Sequence, residues 1–187
     1  DFYKRLTSGG PLPSTSQPSP GEFLEVYDNL GKDADAIVSV HVSATESGTY
    51  NSAIQAKAQT NAKCPIEVID SEQFSMGLGL IAIKAAEHAN QGAGFDDVVA
   101  NINESKSHAE CIGLVDTLDY LVKGGRAGKI QGVMGSLLKI KPMIIVKEGQ
   151  VQQLGKERTF ARAVSRIKEV AESFAPLESM AVFLIEN

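Results

Sequence analysis

The stretch from residue 36 to residue 70 constrains the fold more than any other. Ala36-Ile37-Val38-Ser39-Val40-His41-Val42-Ser43 is β-branched and alternating, the pattern of a strand. It runs into the hydroxyl-rich loop Ser43-Ala44-Thr45-Glu46-Ser47-Gly48 and then a predicted helix over 48–60. Pro65-Ile66-Glu67-Val68-Ile69-Asp70 reads as the next strand. Strand, helix, strand is a βαβ unit, which requires parallel neighbours joined by a right-handed crossover. A helix follows from Gly77 to Asn90, and another, capped by Asp96 or Asp97, runs to about Lys106. The first half, residues 1–107, is therefore expected to be an α/β lobe with a mainly parallel sheet.

The second half, residues 108–187, changes character. A strand over 110–115, a short helix over 117–122 stopped by Gly124-Gly125, helical character over 129–138 and an extended run over 142–146 are expected. Glu148-Gly149-Gln150 reads as a hairpin turn, Thr159 as the cap of a helix to about Phe174, and Ala181 to Ile185 as a last strand. A hairpin among helices predicts an α+β lobe with a mixed sheet.

Two hydroxyl clusters stand out. In Thr15-Ser16-Gln17-Pro18-Ser19-Pro20-Gly21-Glu22, Ser19 can cap, Pro20 fits the first helical position and Glu22 completes a capping box. Thr15 and Ser16 lie just upstream of that helix. In the second cluster, Ser47 and Gly48 lie where the helix over 48–60 exposes its first N–H groups. Hydroxyls beside free N–H groups seat an oxygen-rich anion, and the carboxyl ends of parallel strands are where open α/β sheets bind ligands. The same residue types also make ordinary helix caps.

Other chemistry is weakly signalled. Gly77-Leu78-Gly79 sits inside a helix rather than in the tight turn a dinucleotide needs. Gly124-Gly125-Arg126-Ala127-Gly128-Lys129 lacks phosphate-loop spacing, with Ile130 where a Ser or Thr should stand. No Gly-x-Ser-x-Gly elbow occurs, and His41, His88 and His108 lack metal-ligand spacing. His41 reads as a structural histidine in a strand. Asp70 and Asp116 each end a predicted strand and could line a cleft or cap the next segment, capping being the commoner role. The net charge of −5 argues against a partner held through phosphate contacts, and no apolar run approaches the roughly 20 residues of a membrane span. Cys64 and Cys111, isolated in strand-like contexts, fit a reducing cytoplasm.

Taken together, the clusters resemble the DegV family of bacterial fatty-acid-binding proteins. Ile69-Asp70-Ser71 with Ser75-Met76-Gly77-Leu78-Gly79-Leu80, Leu118-Asp119-Tyr120-Leu121 with Gly124-Gly125-Arg126, and Gly135-Ser136-Leu137-Leu138 with Ile140-Lys141-Pro142 follow in family order. The resemblance implies a two-lobed carrier for phospholipid metabolism, not itself an enzyme. It would bury a fatty acid and present the carboxylate to a separate kinase that makes the acyl phosphate. It implies carboxylate binding at Thr15 and Ser47, with Ser16 and Gly48 beside them, and kinase-facing roles for Arg126 and Arg158. It implies no cofactor beyond the bound fatty acid. Family members begin with an earlier strand and end with a histidine-containing loop, so the chain is expected to be truncated at both ends. Glu46 stands where the family more often has an apolar residue.

The physics of such a ligand is consistent with the residues. A carboxylate is costly to bury unless several donors meet it. Each buried methylene is worth about 0.8 kcal/mol, so a tail of about 16 carbons offers on the order of 10 kcal/mol before ordering costs. Met76, Leu78, Leu80 and Ile81, in an aliphatic helix, are the candidate tail-lining residues; core packing explains them equally. Two other classes are open. One is a small hydrolase or acyltransferase using Ser47 as nucleophile, which needs a nearby base. The other is a module for a different small anion.

Overall fold

The computed structural model describes residues 2–133 and 140–184. After α1 (Phe2–Thr7) and an irregular segment, α2 (Pro20–Leu30) leads into β1 (Ile37–His41), α3 (Thr49–Lys57), β2 (Ile66–Asp70), α4 (Ser75–Asn90) and α5 (Phe95–His108). β1 and β2 are parallel, Ile37 opposite Ile66 and His41 opposite Asp70, so their carboxyl ends finish level. Then come β3 (Ile112–Leu114), α6 (Asp119–Lys123), a 3-10 segment (Gly128–Val133), β4 (Lys141–Lys147), β5 (Gln150–Glu157) and α7 (Phe160–Ser173). The second sheet has the order β3-β4-β5. The mixed pairing expected there is antiparallel throughout the described strands.

Three apolar clusters hold these layers. Tyr27 of α2 packs with Ile37, Val68, Ala53 and Ala56, on the α2–α3 side of the parallel strands. Ile81 and Ala85 of α4 pack with Ile69, Val98 and Ile102 on the other side. Gly77, Ile81 and Ala85, four residues apart, form the inward face of α4. The third cluster joins Leu118, Ala127, Ile130 and Val151 in the second half, and Phe74 from the β2–α4 loop packs against it. Phe74 is thus an apolar bridge between the halves.

Local signals explain most element ends. The Ser19–Glu22 box forms as expected: Ser19 N–H donates to Glu22 Oε2 at 2.7 Å and Glu22 N–H to Ser19 Oγ at 3.3 Å. Thr159 Oγ1 accepts from Arg162 N–H at 3.3 Å and caps α7. Asp70 Oδ1 accepts from Glu72 N–H at 2.9 Å, the capping role expected of it. Asp116 instead pairs with Lys141 at 2.5 Å.

Four expectations are corrected. The α5 cap is Gly94, with Asp96 and Asp97 inside the first turn, where their charge still complements the helix dipole. α4 starts at Ser75, two residues early. The helical character expected over 129–138 is a 3-10 segment to Val133, begun by Gly128 at φ +49 and closed by an Ile130 N–H bond to Ala127; its remainder falls outside the described residues. Residues 181–184 are exposed and irregular rather than a strand. Their apolar run finds no strand to pair with among the described residues, and an unpaired strand has no ladder to stabilise it; Ile185, the last residue of the expected strand, lies outside the described residues.

Candidate functional site

The carboxyl ends of β1 and β2 are cross-tied. Ser71 N–H donates to His41 O at 3.0 Å, and Ser43 N–H donates to Gln73 O at 3.1 Å. Glu72 in the β2–α4 loop and Ser75 at the first position of α4 take positive φ, 55° and 46°. Such backbone costs about 1–3 kcal/mol per residue and persists where the surroundings dictate it. The β1–α3 loop is then wound tightly. Ser43 O accepts from Glu46 N–H at 3.2 Å and from Ser47 N–H at 3.1 Å. Ser47 Oγ meets Thr49 Oγ1 at 2.8 Å and accepts from Thr49 N–H at 3.3 Å, which fixes the serine rotamer. α3 begins at Thr49 behind Gly48, which offers no side-chain cap. The positive end of α3 therefore faces the Ser47 hydroxyl, which takes the Thr49 N–H.

Thr15 and Ser16 lie in the exposed, irregular segment before α2. That segment touches the second cluster through Gln17: a Cβ placed on Gly48 would come within 2.6 Å of Gln17 Nε2. The Gln17 amide thus covers Gly48, and only a residue without a side chain lets it lie so close. Ser16 and Thr15 are the next two residues outward.

Glu46 adjoins Ser47. Burial raises its carboxyl above the ordinary value, while the positive charge of Arg126 opposes that rise. Arg126 therefore acts on this loop from the second half of the chain. It is exposed, follows Gly125 at φ +73, and its guanidinium donates back to Gly124 O. Arg158 lies elsewhere. It adjoins the end of β5 remote from the Glu148–Gly149 turn, in a cleft of about 360 Å³ with Ile140, Lys156, Glu157 and Arg162. The length of β5 separates it from the Arg126 loop by on the order of 20 Å.

Of the tail-lining candidates, Ile81 belongs to the core, 2% exposed. Met76, Leu78 and Leu80 are half-buried, off the inward face, and the Met76 sulfur folds over Gly79, 2.6 Å from where its Cβ would be. A second cleft, about 660 Å³, lies between the end of α4 and α5, lined by His88, Asp97, Asn101 and Glu104 among others. Neither cleft is lined by Thr15, Ser47 or Met76. The larger is open and polar, unlike the covered apolar slot a hydrocarbon tail needs.

The hydrogen-bond partners of Ser47 Oγ are within its own turn, not a histidine. His41 instead bonds Ser39 Oγ through Nε2 at 2.7 Å, and Tyr27 O–H donates to Ser39 Oγ at 2.8 Å. This buried relay is a feature that sequence reading passes over. Its signal is period two in β1, which puts Ser39 and His41 on one face beneath α2.

A parallel β-α-β unit with a hydroxyl-lined helix start at its carboxyl edge, joined to an antiparallel sheet, defines an α/β protein of two sheets. The family model described as "Uncharacterised protein, DegV family" matches residues 1–187, and the chain belongs to that family. A DegV domain-containing protein of Caldanaerobacter subterraneus is 37% identical over 164 residues, 88% of this chain and 58% of its own length. Among solved structures, a DegV family protein from Thermus thermophilus, described by its fatty acid binding, superposes with a TM-score of 0.87 at 31% identity, covering 94% of this chain and 62% of that one. A stearic acid-binding protein of Eubacterium ventriosum gives 0.83 at 29% identity, covering 92% and 60%. The chain thus spans about three fifths of the length of these relatives.

Proposed function

We propose that this chain binds a long-chain fatty acid, with the carboxylate at the start of α3 and the tail along α4. Ser47 and the α3 N–H groups that follow Thr49 supply fixed donors; Thr15 and Ser16 close over them from the segment that Gln17 seats on Gly48. Met76, Leu78 and Leu80 line the tail, with Ile81 behind them in the core. The lobes of this reading are residues 1–107 and 108–187, with the ligand between them. In the finer form of the proposal the protein is a carrier rather than an enzyme, acting in the cytoplasm. It offers the carboxylate to a separate kinase that approaches over Arg126, with Arg158 as a second, distant contact.

The observation that supports the reading is the seat of the Gln17 side chain, one and two residues after Ser16 and Thr15, on Gly48 at the start of α3. The fatty-acid relatives support the ligand class. Native mass spectrometry of the purified chain, followed by titration with palmitate, is the test. A co-purified or added acyl chain should be retained, and Thr15→Ala/Ser47→Ala should weaken it without changing the circular dichroism spectrum. No uptake of palmitate or stearate by a folded sample sinks the proposal. Uptake that the double variant leaves untouched moves the head group elsewhere.

A further inference from the structure

The carbonyl of Gly149, at the tip of the β4–β5 hairpin, is where the two halves are joined by hydrogen bonds closest to Ser47. Ser43 Oγ donates to it at 2.6 Å and Thr45 Oγ1 at 2.5 Å, across sequence separations of 106 and 104 residues. The two hydroxyl oxygens are themselves 2.8 Å apart. Two hydroxyl protons can serve only two of these three contacts at once, so the carbonyl and the pair form one cooperative unit. Ser43 is fully buried, and a buried hydroxyl and carbonyl left without each other would be costly.

The hairpin tip is shaped for this contact. Gly149 has φ +72, and a Cβ there would stand 2.6 Å from Ser43 Oγ and 3.3 Å from Thr45 Oγ1. On its other side, Glu148 pairs with Lys129 at 3.1 Å, and Gly128 sits so close to the Val151 carbonyl that a Cβ would meet it at 2.5 Å. One tip therefore touches both the loop that carries Ser47 and the loop that carries Arg126. Ser43 is the hub. Its N–H holds the β2–α4 loop, its carbonyl takes Glu46 and Ser47 N–H, and its hydroxyl takes the tip.

We propose that Ser43, Thr45 and the Gly149 carbonyl form a latch that registers the Ser47 loop against the Arg126 loop. The head-group end of the ligand site opens by breaking it. Ser43 and Thr45 are then positioning residues, acting through Ser47 and touching no ligand. The existence of the latch stands on the geometry; its effect on ligand release rests on the fatty-acid reading above.

The test uses the whole chain with Ser43→Ala, Thr45→Val, the double variant, Thr45→Ser and Gly149→Ala. Amide hydrogen exchange of the ligand-free protein decides the latch itself. The double variant should exchange about 10-fold faster at residues 44–49 and 148–150 together, the loss of about one good hydrogen bond, with α5 unchanged. Gly149→Ala should do the same from the other side, and Thr45→Ser should behave as the parent. Acceleration of one segment without the other, or of all segments by one factor, overturns it. The second arm is the rate at which bound palmitate passes to phosphatidylcholine vesicles. It should rise about 10-fold in the double variant and stay at the parent rate in Thr45→Ser. A parent protein that takes up no palmitate refutes the fatty-acid reading while exchange still decides the latch. A parent that binds, with release unchanged in the double variant, refutes the latch as a gate.

Discussion

The two hydroxyl clusters are similar in composition and opposite in construction. The segment before α2 is exposed from Pro11 to Ser19; its order comes from the Ser19–Glu22 box at one end and the Gln17 seat in the middle. The loop after β1 is wired at nearly every residue. Ser43 is buried, Thr45 bonds Gly149, Glu46 and Ser47 bond back to Ser43, and Ser47 is fixed by Thr49. A donor already held in place binds without an ordering cost, whereas a donor on a loose segment must offset the entropy of being fixed. The same residue types therefore carry different weight: on the proposed fatty-acid reading, the second cluster is a preformed seat and the first a cover.

That contrast makes ranked claims. Ser47→Ala should show the largest effect, a loss of about 10-fold in palmitate affinity by titration calorimetry, because a fixed donor is removed. Thr15→Ala should lose only about 2- to 3-fold, since much of its hydrogen bond is offset by ordering. Equal losses would erase the distinction. Glu46→Gln should act in the other direction, with roughly a 3-fold gain at pH 8, because a carboxylate beside Ser47 repels the ligand's. Burial raises the Glu46 carboxyl, so its charge disappears sooner on acidification than that of an ordinary glutamate. The gain should shrink as pH falls toward that titration. A gain that persists unchanged once Glu46 is protonated would assign the effect to shape instead of charge.

Gly48→Ala probes the junction between the clusters. The added Cβ meets the end of a flexible glutamine, not backbone, so the melting temperature should hardly move while the Gln17 seat is lost. Affinity should fall about 2-fold, and adding Thr15→Ala should cost little more, since both changes disable one cover. Fully additive losses would mean that the segment does not depend on Gln17.

How far the sequence disclosed this arrangement follows from distance along the chain. The Ser19–Glu22 box, the Asp70 turn and the βαβ order are set by neighbours within a few residues, and they appear as the local pattern predicts. The Ser43–Gly149 contact spans 106 residues, and nothing in either local stretch encodes the other. The inward face of α4 was hidden for another reason: small and aliphatic residues surround Ile81 on most sides, so periodicity does not single out Gly77, Ile81 and Ala85. Residues 181–184 teach the converse. A short apolar run says that a segment is suited to a buried strand, not that a neighbouring strand exists to receive it.

The smallest effect concerns what lies under both clusters. Phe23 of α2, downstream of the cover, sets its ring edge-on to His41 at 5.1 Å between centroids. His41 ends β1, upstream of the seat. Tyr27 donates to Ser39, whose own proton is then available to His41 Nε2 when the ring is neutral. Burial lowers the affinity of the ring for that proton, and Asp70 opposes the shift. The fold therefore favours neutral His41. Its contribution is complete above the ordinary histidine value of about 6.5 and is lost as pH falls below it toward the lower folded value. Urea midpoints measured between pH 7.5 and 5.5 should decline for the parent and show a shallower slope for His41→Asn, whatever the absolute stability of the variant. Identical slopes would show that the ring titrates alike folded and unfolded, and that the link beneath the two clusters carries no proton dependence.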